Sequence, residues 1–327
     1  MRAIVQDRYG PPETLTLVDV DTPVPAVDEV LIRVEAAALN AYDWHVMRGD
    51  PRLSRLALGL TRPRARIRGR DVAGRVEAVG AGVRQIRPGD AVFADLGEAD
   101  GAFAEYVCVP ERLVAPRPAN LSPEQAAALP LAGVTALQGL RDAGQVRPGH
   151  RVLINGASGG VGTLAVQLAK ALGATVTGVC RTRNVDLVRS LGADHVVDYT
   201  RDDFTRAGRR YDVVFDLVGN RSLRALRRAL TPTGTLVLSG GGVYRGGSLI
   251  GPVGLLARGR LTAPFVRQRI VALATSPGRA HLDALREHAE AGRLTVAIDR
   301  TYSLHEVPDA IRYLETEHAR AKVVVTI

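Results

Sequence analysis

Arg151-Val152-Leu153-Ile154-Asn155-Gly156-Ala157-Ser158-Gly159-Gly160-Val161-Gly162-Thr163-Leu164-Ala165-Val166-Gln167-Leu168-Ala169-Lys170 decides the architecture. A short apolar strand, Arg151–Ile154, runs into a glycine-rich turn. A helix follows over Val161–Leu172, with Val161, Leu164, Ala165, Leu168, Ala169 and Leu172 at helical spacing. Glycines there allow a tight bend, admit a diphosphate close to the backbone, and let helix and sheet pack closely. The phosphates then face the positive end of the helix. With the next strand, Thr175–Val179, also in register, Gly156, Ala157, Ser158, Gly159, Gly160, Val161 and Gly162 read as a dinucleotide cradle.

The end of that next strand selects the nucleotide. NAD-binding chains usually carry Asp or Glu there to bond the ribose hydroxyls. Here the run is Val179-Cys180-Arg181-Thr182-Arg183-Asn184, with two arginines and no acid. A carboxylate would repel a 2′-phosphate, whereas a guanidinium grips it with paired hydrogen bonds. The cofactor expected is NADP(H), with Cys180, Arg181, Arg183 and Asn184 around it. The competing assignment for either arginine is a solvated residue at a helix start.

Working outward, strand and helix keep alternating. Strands are expected at Val196–Val197, Val213–Asp216, Thr235–Leu238 and Ile270–Ala274. Ser122-Pro123-Glu124-Gln125 opens the first helix with a capping box. Such alternation means a doubly wound parallel sheet, an α/β Rossmann unit over residues 122–292. The first 121 residues instead read as strands, at Glu29–Ala38, Ala73–Val79, Ala91–Asp95 and Ala102–Val109, with a helix candidate at Tyr42–Arg48. In the tail, a helix over His281–Ala291 precedes a strand at Val296–Tyr302. A second capping box, Ser303-Leu304-His305-Glu306, opens a helix, and Lys322–Ile327 is a last strand. Residues 293–327 are therefore assigned with 1–121 to one mostly β domain.

Length and composition agree with two domains of an ordinary globular protein: 327 residues, 46% hydrophobic and 24% charged. No apolar run approaches the ~18 residues that span a bilayer. Met1–Asp7 alternates apolar and polar residues, which reads as a first strand and not a secretory signal, so the cytoplasm is the expected compartment. Two cysteines, Cys108 and Cys180, exclude a disulfide framework and a four-cysteine zinc cage. The net charge of +9 raises nucleic acid as a partner, but the arginines are scattered and aromatics make up only 4%. Neither nucleic acid nor a membrane is expected as a partner. One cluster stands out: Arg52, Arg55, Arg62, Arg64, Arg66, Arg68 and Arg70. It is either a solvated loop or a positive rim that attracts anions.

Several further stretches carry a family resemblance: Ala38-Leu39-Asn40-Ala41-Tyr42-Asp43-Trp44, Gly69-Arg70-Asp71-Val72-Ala73-Gly74, Gly101-Ala102-Phe103-Ala104-Glu105-Tyr106, Leu131-Ala132-Gly133-Val134-Thr135-Ala136 and Leu191-Gly192-Ala193-Asp194. With the glycine loop, and over essentially the whole chain, they resemble the medium-chain dehydrogenase/reductase superfamily in its quinone-oxidoreductase-like branch. The resemblance implies a GroES-like catalytic domain beside the Rossmann domain. Zinc-dependent members have Cys where Asn40 stands, His where Arg70 stands and a carboxylate where Asp71 stands. Asn40 and Arg70 are not zinc ligands, so no metal is expected.

A metal-free site restricts the reaction. Hydride addition to a simple ketone leaves a localised alkoxide that needs a Lewis acid or a strong proton donor. Addition to a quinone or an enone leaves a delocalised anion that a few hydrogen bonds can stabilise. The expected activity is NADPH-dependent reduction of quinones or other conjugated carbonyls. By resemblance, Asn40 faces cofactor and substrate and donates an amide N–H, while Tyr42 supplies a proton and His45 stands at a relay position. Thr135, Leu217, Val218, Ser239 and Lys322 line the cofactor, and Tyr199 lies along the adenosine phosphate. The competing assignments are a buried aromatic for Tyr42 and a surface residue for His45. Enoyl-thioester reductases of the superfamily carry a tyrosine where Gly49-Asp50-Pro51-Arg52 stands here, which disfavours thioesters. A non-catalytic NADPH-binding protein is the second functional class, and a homodimer built on the edge strand near Ile270–Ala274 is expected.

Overall fold

The computed structural model describes residues 1–240, 247–249, 251, 253–316 and 319–327. Its strands, in chain order, are β1 Arg2–Gln6, β2 Leu15–Asp19, β3 Glu29–Leu39, β4 Asp71–Val79, β5 Ala91–Asp95, β6 Tyr106–Pro110, β7 Val114–Pro116, β8 Arg151–Asn155, β9 Thr175–Cys180, β10 His195–Asp198, β11 Tyr211–Asp216, β12 Leu230–Leu238, β13 Arg269–Ala272, β14 Ile298–Ser303 and β15 Lys322–Thr326.

Strands β8–β13 form one sheet in the order β10-β9-β8-β11-β12-β13. Every pairing in it is parallel. Its direction of winding reverses between β8 and β11, and in open α/β sheets ligands bind beyond the strand ends at that reversal. The glycine loop leaves β8 at this point. The helix Gly160–Ala171 after it is buried from Gly162 to Ala169. It lies against β8, β9 and the helix Pro130–Leu137, so it is apolar nearly all round. Burial of Leu164 and Leu168 contributes roughly 1.5–3 kcal/mol each.

The second sheet has seven strands, β14-β15-β3-β4-β5-β7, with β6 pairing β3. The tail strand β15 pairs antiparallel with β3, setting Val323 against Leu39. Both capping boxes form: Ser122 Oγ accepts from Gln125 N at 3.3 Å, and Glu306 Oε2 accepts from Ser303 N at 2.8 Å. The second opens through a 3₁₀ turn, Leu304–Glu306, into the helix Val307–Thr316. One expected strand is shorter than read. Within Ala102–Val109, regular pairing starts at Tyr106, because the chain bends at Asp100 and Gly101 (φ +56° and +117°). The Ala102 and Phe103 amides donate instead to the Gly69 and Arg68 carbonyls. Strand β13 does lie at the edge of its sheet. Among the described residues no helix is long and apolar enough to cross a membrane.

Candidate active site

The glycine loop is shaped by contacts that side chains would break. Gly156 sits at φ +90°, in left-handed territory, and a Cβ on Gly162 would lie 2.1 Å from the Gly156 carbonyl oxygen. No side chain caps the helix that begins at Gly160, so its first-turn N–H groups lack intrahelical acceptors and face an open cavity. That cavity has a volume of about 470 Å³. Gly156, Ser158, Gly159, Gly160, Val161 and Gly162 line it, whereas Ala157 is wholly buried behind the loop.

One end of the cavity is formed by Cys180, Arg181, Arg183, Asn184 and Tyr199. The Asn184 amide donates to Ser158 Oγ at 2.9 Å, tying this end to the loop. Burial pushes the Cys180 thiol up to about 11, so it stays protonated near neutral pH. Asp198 is close by, but its carboxylate accepts from the hydroxyls of Thr182 and Thr200 at 2.6 and 2.7 Å. Leu217 and Val218 form part of the wall where β11 ends.

The other end holds Asn40, Trp44 and Lys322. Lys322 is 3% exposed, and its ammonium spends all three N–H groups. It donates to the Leu39 carbonyl at 3.0 Å, to Asn40 Oδ1 at 2.7 Å and to Asp71 Oδ2 at 3.3 Å. The Asn40 amide nitrogen donates to the same Asp71 oxygen at 2.9 Å. Asp71, wholly buried, also accepts from Leu131 N at 2.9 Å through its other oxygen. Burial pushes the Asp71 carboxyl up, while the Lys322 ammonium and the Asn40 amide pull it back. Lys322 is delivered here by β15, which is tied to the glycine loop by Ala321 N donating to Ser158 O at 2.8 Å. The lysine stem presses on the loop: a Cβ on Gly160 would meet Lys322 Cδ at 2.9 Å.

Asn40 lines the cavity as expected, with its amide nitrogen turned inward to Asp71. Other expected site residues sit elsewhere. The Tyr42 hydroxyl is buried without a hydrogen-bond partner among the described residues, and the ring lies under the Arg70 guanidinium at 5.2 Å. Burial raises its pKa well above the ordinary phenol, and Tyr42 is not part of the cavity wall. Thr135 is buried, with its hydroxyl donating to the Leu131 carbonyl at 2.7 Å, and Ser239 lies beyond the wall at the end of β12. His45 stacks on Trp44 at 3.6 Å, and its Nδ1 is 2.7 Å from the Asp50 carbonyl oxygen. Burial lowers its pKa.

Beneath this end lies a buried charged layer. Asp43 accepts from Asn40 N at 2.6 Å, Arg68 pairs with Asp100 at 3.1 Å, and Arg70 Nη2 donates to Asp95 Oδ2 at 3.1 Å. Burial pushes Asp43 up to about 8, helped by the nearby Asp100 carboxylate. It pushes Asp100 up to about 7, against the pull of Arg68 and Arg70.

Sequence reading missed part of the wall. Asn155 donates to Asp216 Oδ1 at 2.7 Å and to Asn220 Oδ1 at 3.1 Å, joining the ends of β8 and β11 under the cavity. Their position at the carboxyl ends of neighbouring central strands was the available signal. Glu315, which also lines the cavity, is fixed by Arg48 at 2.6 Å, a contact with no local signature.

The family described as alcohol dehydrogenase GroES-like domain matches residues 26–119, and that described as zinc-binding dehydrogenase matches residues 191–325. The chain is 34% identical to a chloroplastic quinone oxidoreductase of Triphysaria versicolor, over 99% of this chain and 98% of the relative. It is also 34% identical to a chloroplastic NADPH-dependent alkenal/one oxidoreductase of Arabidopsis thaliana, over 99% of this chain and 79% of the relative. The solved quinone oxidoreductase of Coxiella burnetii superposes with a TM-score of 0.87 at 33% identity, covering 100% of this chain and 99% of that one. A parallel sheet wound about a glycine loop, a second sheet closed by the tail, and full-length likeness to these proteins establish one thing together: the chain belongs to the medium-chain dehydrogenase/reductase superfamily, in its quinone-oxidoreductase-like branch.

Proposed function

We propose that the protein is a zinc-independent reductase that uses NADPH to reduce quinones and other conjugated carbonyls. The observation that carries this reading is the cavity itself: a helix N-terminus and two arginines toward one end, and a buried ammonium ring toward the other. The relatives named for quinone and alkenal/one reduction support it.

NADPH, when bound, supplies the hydride. The chain's own residues do the rest. Ser158 and the first helical turn Gly160–Gly162 receive the diphosphate with backbone N–H groups, while the Gly156 and Gly159 N–H groups hold the loop's own shape, and Arg181 and Arg183 face the 2′-phosphate. Leu217, Val218 and Tyr199 enclose the nucleotide. At the far end Lys322, its three N–H groups already bonded within the protein, acts through its buried positive charge, which favours negative charge developing on an acceptor oxygen. Asn40 and Asp71 keep that charge from swinging away. A zinc ion does not fit this donor set. Lys322 already gives the Asp71 carboxylate a cationic partner, Asn40 is a poor ligand, and Arg70 is a cation paired with Asp95. A delocalised enolate or hydroquinone anion is the product such a site can support.

The two free thiols suit a reducing compartment such as the cytoplasm. The two sheets support a division into 1–121 with 293–327 and 122–292. The open edge of β13, beside exposed Leu261 and Phe265, supports a homodimer.

The deciding experiment is steady-state NADPH oxidation with 9,10-phenanthrenequinone, 1,4-naphthoquinone and an alkenal. Turnover of at least one acceptor is expected. NADPH binding without turnover of any would instead favour a non-catalytic cofactor-binding protein.

A further inference from the structure

The arginine cluster divides in two once its partners are known. Arg66, Arg68 and Arg70 are paired with Asp7, Asp100 and Asp95. Arg55 donates to the Gly49 and Arg48 carbonyls and lies over the Tyr9 ring at 4.4 Å. Arg55, Arg68 and Arg70 hold the fold together, and Arg66 is neutralised by Asp7 at the surface. The other three, Arg52, Arg62 and Arg64, are exposed and make no ion pair among the described residues. They share their segment with Leu53, Leu56 and Leu60, which are 47%, 66% and 69% exposed. No acidic residue occurs between Pro51 and Arg70.

The segment is held in this arrangement by its backbone. Arg64 N donates to Leu58 O at 2.9 Å, and Gly59 N to Arg55 O at 2.9 Å. Tyr9 Oη donates to Gly59 O at 2.7 Å, and Gln6 N to Arg66 O at 2.8 Å. Leu53 N donates to Leu249 O at 3.3 Å, which brings a fourth exposed leucine alongside.

We propose that the segment Pro51–Arg66, with Leu249, docks on an anionic lipid bilayer. The leucines enter the headgroup layer, and Arg52, Arg62 and Arg64 hold lipid phosphates. Basic residues beside exposed leucines are the chemistry of interfacial binding. A nucleic acid would use the arginines but gives the leucines nothing to bury in. A second copy meeting this face across a two-fold axis would set arginine against arginine, with Asp7, already bound by Arg66, as the neighbouring acid. The lack of a spanning helix does not bear on the matter, since surface docking needs none. The proposal rests on surface chemistry and stands whether or not the chain reduces quinones.

Co-sedimentation with extruded vesicles tests it. One set is phosphatidylcholine alone, and the other contains added phosphatidylglycerol. The full chain is expected to pellet with the anionic vesicles and not with phosphatidylcholine alone. The triple variants Leu53→Ser, Leu56→Ser, Leu60→Ser and Arg52→Gln, Arg62→Gln, Arg64→Gln should each weaken partitioning about tenfold or more. Their melting transitions should match the parent, since all six side chains face solvent. The variant Leu56→Trp should show blue-shifted emission on adding anionic vesicles. Three results would each overturn the proposal. One is no binding to anionic vesicles. Another is equal binding by the parent and the leucine triple, which leaves only a polyanion site. The third is a leucine triple that scatters light as a smaller assembly than the parent, which makes the face a contact between copies.

Discussion

Asn40 and Lys322, 282 residues apart in the chain, are joined by a 2.7 Å hydrogen bond from the lysine ammonium to the amide oxygen, and both bond the same oxygen of Asp71. The arrangement is a closed ring of three. Its net charge is balanced inside the protein, yet its cation lies on the cavity wall.

That ring separates stability from catalysis. Lys322→Met leaves a wholly buried carboxylate without its cation, which should cost about 3–5 kcal/mol in urea unfolding. Adding Asp71→Asn should recover most of that loss. It should not recover turnover: kcat on an enone is expected to stay down on the order of tenfold or more, and to fall less with a strongly oxidising quinone. A double variant that regains both would remove Lys322 from the chemistry. Asn40→Ala should act in the same direction but less, because it loosens the ring without removing the charge.

Tyr42→Phe should be nearly silent in kcat, since the hydroxyl is buried away from the cavity. The unpartnered hydroxyl is a burden on the fold, so the variant is expected to be as stable as the parent or more so by about 1 kcal/mol. A large loss of kcat with the melting transition unchanged would return the tyrosine to the proton path.

The buried acids set a pH dependence of stability. Asp43 and Asp100 keep their protons in the fold at pH values where the unfolded chain has released them. Their contribution is complete below the ordinary aspartate range of about 4. It is lost as pH rises toward about 7 for Asp100 and about 8 for Asp43. The melting temperature should therefore fall between about pH 5 and about pH 8 and level off above that, and Asp43→Asn should flatten the slope. A parent whose stability rises over that interval would contradict the assignment.

Cofactor choice should reside in Arg181 and Arg183. Charge-assisted contacts with a 2′-phosphate are worth about 1.5–3 kcal/mol each. The double variant Arg181→Ala, Arg183→Ala should lose most of the preference for NADPH while its kinetics with NADH change little. Equal KM values for the two nucleotides in the parent would refute this.

Assembly is checked by light scattering, which should give the mass of two chains at micromolar concentration. Leu261→Asp with Phe265→Asp places charge on two exposed apolar side chains just before β13, 73% and 86% exposed, and should give one chain.

What was legible in the sequence was local. The glycine loop, the Ser122 and Ser303 caps and the helix at Ala41–Arg48 each announce themselves within a few residues, because turn chemistry and capping act over one turn. Strand alternation was enough for the parallel sheet and its edge. What escaped depends on direction and distance. That position 42 is a tyrosine is plain from the sequence, but which way its hydroxyl points follows from how its helix sits against Arg70. The Asn40 amide could be read as a donor to substrate only while Asp71 and Lys322 were absent from view. The strand read at Ala102 breaks because Asp100 must swing in to meet Arg68, a pairing with no periodic signature.

The pairing of β3 with β15 has a consequence in time. A ribosome delivers the chain in order, and early segments begin to fold as they emerge. Strand β3 is made early, yet one of its neighbours arrives only after some 280 more residues have been made, and Lys322 arrives with it. Until then that edge of β3 is open, and the glycine loop lacks its tie to Ala321. Whatever Lys322 contributes at the cavity is thus in place only after the nucleotide sheet has its strands.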